Sequence, residues 1–277
     1  MSVEFSTVIP TYRRPAQLLE AVTSVLAQIE ARVEIIVVDD SPEGSARAVI
    51  DRLNDPRVTY LKNPNPTGGI PSIVRNLAWR HAKGMFVHFL DDDDIVPQGH
   101  YVAVREAFAE HPKVGMVFGR IEPFGNCPTA QLEHERRYFA DCVRMSTRSR
   151  RFGRRFGKWA LIGRMLFDRA LLVCSASVLR RDCVIRLGGF DPDIRLMEDT
   201  DFHVRVMREF GAQFIDRVVL AYRIDSLSLM HSPNPDRSQL DAVREGHRRM
   251  CAKYQKERGF LEFYALALFT RTVLRIM

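Results

Sequence analysis

Four consecutive carboxylates follow two bulky apolar residues in the run Phe89-Leu90-Asp91-Asp92-Asp93-Asp94. Adjacent acids repel one another unless a cation or hydrogen-bond donors offset the charge. A hard divalent metal bound through carboxylate oxygens is one such offset. Two further acidic groups occupy comparable places: Asp39-Asp40 after an apolar run, and Glu198-Asp199-Thr200-Asp201 after a Gly-Gly-Phe turn. In an open α/β sheet, acids that follow neighbouring strands converge on the crevice at the carboxyl edge, where ligands bind. Taken singly, each group also suits a solvated turn or a helix N-cap.

The elements that must carry these acids are legible from periodicity. Phe5 to Ile9 is a short β-branched segment stopped by Pro10, and Val33 to Val38 is nearly continuous in apolar residues, as in a strand buried on both faces. Val58 to Leu61, Met85 to Leu90, Val114 to Phe118, Ser175 to Leu179 and Val218 to Tyr222 read as further strands. Helical spacing covers Pro15 to Gln28, Ser45 to Leu53, Pro71 to Lys83, Tyr101 to Glu110, Arg181 to Leu187 and Asp199 to Phe210. Strand and helix alternate, which predicts an α/β fold with a mostly parallel sheet and helices on both faces. Residues 126–170 break the alternation and read as a basic insertion. From Pro233 onward a charged helix leads into the apolar tail Phe260 to Met277.

The chain has 277 residues, 46% of them hydrophobic, which suits a substantial core. Its net charge of +7 and pI near 9.4 favour anionic partners. Five cysteines without a CxxC pair argue for reduced thiols in a cytoplasmic setting rather than a disulfide framework or zinc site. The first residues show no signal-peptide pattern, and no uncharged apolar run reaches the roughly 20 residues that span a bilayer. Within the insertion, Arg144, Arg148, Arg150, Arg151, Arg154, Arg155, Lys158, Arg164 and Arg169 are interleaved with Phe152, Phe156, Trp159, Leu161, Ile162, Leu166 and Phe167. That mixture suits either a solvated face or an interfacial surface whose arginines bind phosphates. An interfacial surface would place the protein peripherally on the inner face of the plasma membrane.

Order and context narrow the chemistry. Val8-Ile9-Pro10-Thr11-Tyr12-Arg13-Arg14-Pro15 resembles the opening strand and loop of the family 2 glycosyltransferases. Ile35-Ile36-Val37-Val38-Asp39-Asp40-Ser41 is similar to that family's second strand, and Arg75-Asn76 to its helix after a glycine-containing loop. The run at Asp91 to Asp94 resembles its DxD region. Gly188-Gly189-Phe190-Asp191 with Glu198-Asp199-Thr200-Asp201-Phe202 resembles its acceptor-side motif. The resemblance covers roughly residues 4 to 225, with the basic insertion outside it.

This resemblance implies a GT-A fold, Rossmann-like, with a catalytic domain over 1–232 and a C-terminal helical extension over 233–277. The nucleotide-sugar half would span about 1–120 and the acceptor half about 121–232, including the insertion. It implies an inverting transfer of a hexosyl group from a nucleoside-diphosphate sugar, with UDP the expected carrier, to a hydroxyl of a glycan or lipid-linked acceptor. Cell-surface polysaccharide synthesis is the implied setting. Pro10, Thr11, Tyr12, Arg14, Asp40, Arg75, Asn76, Asp91 and Asp92 are expected to bind the nucleotide sugar. Thr11 and Tyr12 would line the base and ribose pocket, Asp40 would accept from the base, and Asp92 would lie near the ribose. Asp93, or alternatively Asp91, would hold Mn2+ or Mg2+, with His231 a possible third ligand. Gly189 and Glu198 fall on the acceptor side, and Asp199 is the implied general base. The segment Tyr222-Arg223-Ile224-Asp225 departs from the family pattern, placing Asp where His is common.

The residue types fit this chemistry. A metal at the diphosphate stabilises the charge that builds on the leaving oxygen. A carboxylate within reach of the acceptor hydroxyl removes its proton. A nucleotidyltransferase would also bring acids to strand ends, but usually with a glycine-rich basic phosphate loop that Thr11 to Pro15 does not supply. A nucleic-acid-binding protein would suit the arginines, yet the strand-end acids would repel phosphates.

Overall fold

Continuous burial of β-branched residues builds the centre of the molecule. A computed structural model describes residues 2–150, 152–224 and 237–276. Strands β1 (Phe5–Thr11), β2 (Val33–Asp39), β3 (Val58–Lys62) and β4 (Phe86–Phe89) pair in parallel, with β1 between β2 and β4. Phe5, Val8, Ile9, Ile35, Val37, Val87 and Phe89 lose all solvent contact, as a strand covered by helices on both faces requires. Helices α1 (Pro15–Leu26), α2 (Arg47–Leu53) and α3 (Pro71–Ala78) connect them, and α4 (His100–Glu110) follows β4. Proline opens α1 and α3, where its missing N–H costs nothing.

The second half adds β5 (Met116–Phe124), β6 (Ser177–Arg180) and β7 (Ala212–Arg223). Among the described residues the seven strands form one sheet in the order β3-β2-β1-β4-β6-β5-β7. Strand β6 runs antiparallel to both β4 and β5, so the sheet is mostly parallel with one reversed member. Strands β5 and β7 are longer than periodicity predicts. Their parallel pairing shifts register around Gly119, where a side chain would collide with Val219 and the Arg217 carbonyl. Helices α7 (Arg181–Leu187) and α8 (Glu198–Phe210) stand where helical spacing places them.

The basic insertion differs from its expected character. It forms two helices, α5 (Thr129–Arg150) and α6 (Gly153–Phe167), and the C-terminal extension forms α9 (Arg237–Arg258) and α10 (Phe260–Ile276). The interleaved apolar residues face inward rather than toward a membrane. Leu161, Ile162 and Leu166 are buried, Phe152 packs on Phe269, and Phe167 packs on Phe263. Phe156, 57% exposed, is the exception. The cations are engaged as well. Arg164 is buried, donating to Asp168 Oδ2 and the Leu274 carbonyl at 2.8 Å each. Arg169 lies over the Tyr138 ring near Asp141, Arg144 pairs with Asp141, and Lys158 donates to the Arg208 carbonyl. Long charged side chains pack through their aliphatic stems, so a cationic sequence still yields a buried helix. Arg151 and the side chains of Arg150, Arg154 and Arg155 lie outside the described residues, as do Asp225 and His231. No described helix is long and apolar enough to cross a membrane.

Candidate active site

The carboxyl ends of β1, β2 and β4 open onto a cleft of about 690 Å³. Pro10, Thr11, Tyr12, Arg14, Asp40, Arg75, Asp91, Asp92, Asp93, Glu198 and Asp199 all line it. Residues up to 189 positions apart in the chain therefore meet in one crevice, as the topology of an open sheet predicts.

Each acid is held differently. Asp92 accepts from Thr11 Oγ1 at 2.6 Å, and Arg14 Nη1 lies 3.4 Å from its other oxygen. Asp93 Oδ2 accepts from the same Arg14 nitrogen at 2.6 Å. Asp91 Oδ1 accepts from Arg75 Nη2 at 2.5 Å, and its backbone N–H donates to Ser175 Oγ. Asp94 is turned into the protein, where the Arg223 N–H reaches one oxygen and the other is buried without a partner. Arg223 also donates to the Asp93 carbonyl and to Glu20, which ties the end of β7 to the acid loop. Burial pushes Asp92 up to about 7, with Thr11 and Arg14 opposing. Burial and then the Asp91 charge raise Asp93.

Helix α8 begins directly at the acceptor acids. Glu198, Asp199 and Asp201 occupy its first turn, where the helix dipole favours negative charge. Arg75, only 3% exposed, joins the two halves by donating to Glu198 Oε1 at 2.8 Å as well as to Asp91. Burial and the neighbouring Asp199 charge bring Glu198 to about 7, with Arg75 pulling the other way. Asp199 Oδ1 accepts from the Thr200 N–H at 2.6 Å and from Thr200 Oγ1 at 3.3 Å. Burial raises Asp199, with Arg75 opposing. Asp201 is committed to Arg205 and Lys253, which removes it from the chemistry.

Three expected positions have a different environment from the one assumed. Both Asp40 oxygens are engaged by the loop after β3, accepting from Asn63 Nδ2, Thr67 N, Thr67 Oγ1 and Gly69 N at 2.6–3.1 Å. Burial raises its pKa, but these donors outweigh burial and leave it lowered. The oxygens of Asp39 are engaged as well, accepting from Ser41 N and Ala46 N at the start of α2. Asn76 does not line the cleft. Its side chain pairs with both the N–H and the carbonyl of Phe190, and Gly189 (φ +81°) packs so closely on Asn76 and Trp79 that a Cβ has no room. These two residues fix the turn that leads to α8.

Sequence reasoning missed one wall. His134, Glu135, Tyr138 and Phe139 of α5 line the cleft, with Leu172, Met197 and Tyr222 nearby. Their signal was hidden by the arginines that dominate the same segment.

Among the described residues no three His, Cys, Asp or Glu side chains form a metal cage. Asp91 and Asp93 each engage an arginine through one oxygen, leaving the second oxygen free of an arginine. Magnesium-type cations are commonly held by one or two carboxylates together with substrate phosphates. The hard oxygen donors on this loop fit that chemistry.

Comparison with known proteins agrees with the geometry. The model of Glycosyl transferase family 2 matches residues 6–173, across most of the sheet and the α5–α6 segment. The GalNAc(5)-diNAcBac-PP-undecaprenol beta-1,3-glucosyltransferase of Campylobacter jejuni is 32% identical over 126 residues, 45% of this chain and 38% of that protein. The chain spans less than two thirds of the length of the curated relatives it matches first. TarS of S. aureus, solved with UDP-GlcNAc, superposes with a TM-score of 0.64 at 17% identity, over 91% of this chain and 67% of that one. The mannosyltransferase PcManGT of Pyrobaculum calidifontis, solved with GDP-Man and Mn2+, gives 0.58 at 17% identity, over 100% and 81%. The fold is thus the GT-A type, and since the family model matches well over half of its residues, the chain belongs to glycosyl transferase family 2.

Proposed function

We propose that the protein transfers a sugar from a nucleoside diphosphate, with UDP the expected carrier, to a hydroxyl of a lipid-linked or surface-glycan acceptor, by single displacement with inversion. The observation that carries this reading is the meeting of Asp91–Asp93 and Glu198–Asp199 in one cleft, bridged by Arg75. Thr11, Tyr12 and Arg14 flank the donor side, next to Asp92. A divalent metal held by Asp93, with Asp91 adjacent, would stabilise charge on the departing diphosphate. On the acceptor side, the hydroxyl oxygen forms the new bond to the anomeric carbon as the bond to the diphosphate oxygen breaks. Asp199 takes the hydroxyl proton, and a raised pKa brings a carboxylate nearer the range where a general base works well. The Arg75 charge, fixed on Glu198 and Asp91, acts on Asp199 through space and opposes the rise that burial causes.

The lipid-linked acceptor class follows from the relative that acts on an undecaprenol-linked glycan. Peripheral membrane contact, if made, falls to the exposed face of α10, where Phe260, Leu261, Tyr264 and Leu268 are 50–84% exposed. Loss of flotation with anionic liposomes at low salt removes that contact from the proposal. A thermal-shift panel of nucleoside diphosphates with and without Mn2+ tests the donor side. The expected result is a shift with UDP that grows with metal and loses its metal dependence in Asp93→Ala. No shift with any nucleotide sinks the reading.

A further inference from the structure

Arg14 and Arg75 both sit on the acid loop, but they are built for different work. Arg75 has a side chain 4% exposed, fixed between Asp91 and Glu198. Arg14 has a side chain 38% exposed, and a single nitrogen, Nη1, serves both Asp93 at 2.6 Å and Asp92 at 3.4 Å. It projects from the residue just before α1, after Arg13 in a left-handed conformation (φ +57°), so its anchor is a loop rather than a packed helix. Asp93 is the carboxylate proposed to take the metal, and a guanidinium on it puts one positive charge where another would have to bind.

We propose that Arg14 is an exchangeable counter-ion that makes metal binding depend on the nucleotide. The inference rests on the donor-side reading above. In the free protein Arg14 neutralises Asp92 and Asp93 and repels a divalent cation. The diphosphate of an incoming nucleotide sugar offers this guanidinium a bidentate partner of higher charge. Once Arg14 leaves Asp93 for the diphosphate, the carboxylate is open to the cation. Metal and nucleotide then bind as a coupled pair, and the coupling is reciprocal: each raises the affinity of the other by the same factor.

The test is direct Mn2+ binding, by electron paramagnetic resonance of free Mn2+ or by calorimetry, with and without UDP, in the full chain and in Arg14→Met and Arg14→Lys. In the unaltered protein UDP raises Mn2+ affinity by about tenfold or more, within the usual range of such couplings. Arg14→Met binds Mn2+ without nucleotide about tenfold more tightly than the unaltered protein, and UDP then adds little. Arg14→Lys, which keeps the charge, stays close to the unaltered protein in nucleotide-free Mn2+ affinity. Equal or weaker nucleotide-free Mn2+ binding by a folded Arg14→Met overturns the inference while leaving the donor-side reading intact. Absence of nucleotide binding in the unaltered protein, across UDP, GDP and dTDP, removes the donor-side reading and this inference with it.

Discussion

The two walls of the cleft obey opposite rules for charge. On the acid-loop wall, carboxylates stand at the end of β4 with one oxygen on an arginine and the other free of one, as at Asp91 and Asp93. On the α5–α6 side, charge is denser in sequence but is used up within the fold: Arg164 caps Leu274 and pairs with Asp168, and Arg169 is shared between acids and the Tyr138 ring. What α5 shows the cleft is instead His134, Glu135 and Tyr138. The lesson is that charge density along a chain says little about where charge acts. A ligand-binding charge is one whose backbone is fixed by the sheet while part of its hydrogen-bonding capacity remains open.

The contrast is broken most severely at Asp199, the proposed base at the start of α8. Asp199→Asn should lower kcat by about 10²–10⁴-fold, the usual contribution of a general base, with little change in nucleotide binding. Normal turnover in a folded Asp199→Asn protein would move the base elsewhere. The bridge behind it should respond in stability instead. Arg75→Met strands two carboxylates, that of Glu198 buried and that of Asp91 half-buried, and should cost about 3–5 kcal/mol, read as a drop in the urea midpoint. A midpoint within experimental error of the unaltered protein would mean that the halves are not joined there.

The helical side is sharpened by a pair of substitutions at positions 156 and 162 of α6. Ile162→Ala removes a fully buried side chain and should cost about 2–5 kcal/mol. Phe156→Ala, at an exposed position, should change stability by no more than about 0.5 kcal/mol. The reverse ranking in thermal unfolding would restore the interfacial view of this segment.

Legibility followed the same division. Strands β1 to β4 could be read because burial on both faces makes them continuous apolar runs, and the acids that follow them were found for that reason. The direction of β6 could not be read, since neither Ser177 nor Arg180 carries a local signal for antiparallel pairing. The outer stretches of β5 and β7 carry exposed residues such as Arg120, Glu122, Asp216 and Arg217 that interrupt the apolar run, and the register shifts around Gly119. Helix α5 hid its cleft face because its polar residues have no apolar period around them. The surroundings of Asp40 and Asn76 were illegible for a related reason: a sequence shows that an acid or amide is present, not which backbone groups have already claimed it.

The last expected effect is in pH dependence, and its sign separates the two kinds of buried charge. Burial lowers His88 to about 4 and His203 to about 3, and lowers His100 as well. These three bind fewer protons folded than unfolded, so their contribution is lost as pH falls below about 6.5. Asp92 and Glu198, at about 7, and Asp93, Asp94 and Asp199, all raised, bind more protons folded than unfolded. Their stabilisation is complete below the unfolded carboxylate range near pH 4 and is lost as pH rises through each folded value, about 7 for Asp92 and Glu198. The acids outnumber the histidines, so the ligand-free protein should become more stable, not less, on acidification from pH 7 to pH 5. Each excess proton bound contributes about 1.4 kcal/mol per pH unit. Glu198→Gln should reduce that slope by about one proton. Thermal midpoints measured across pH 5 to 7 check both, and a midpoint that falls on acidification would show that the histidines, rather than the cleft acids, dominate the protonation of the free protein.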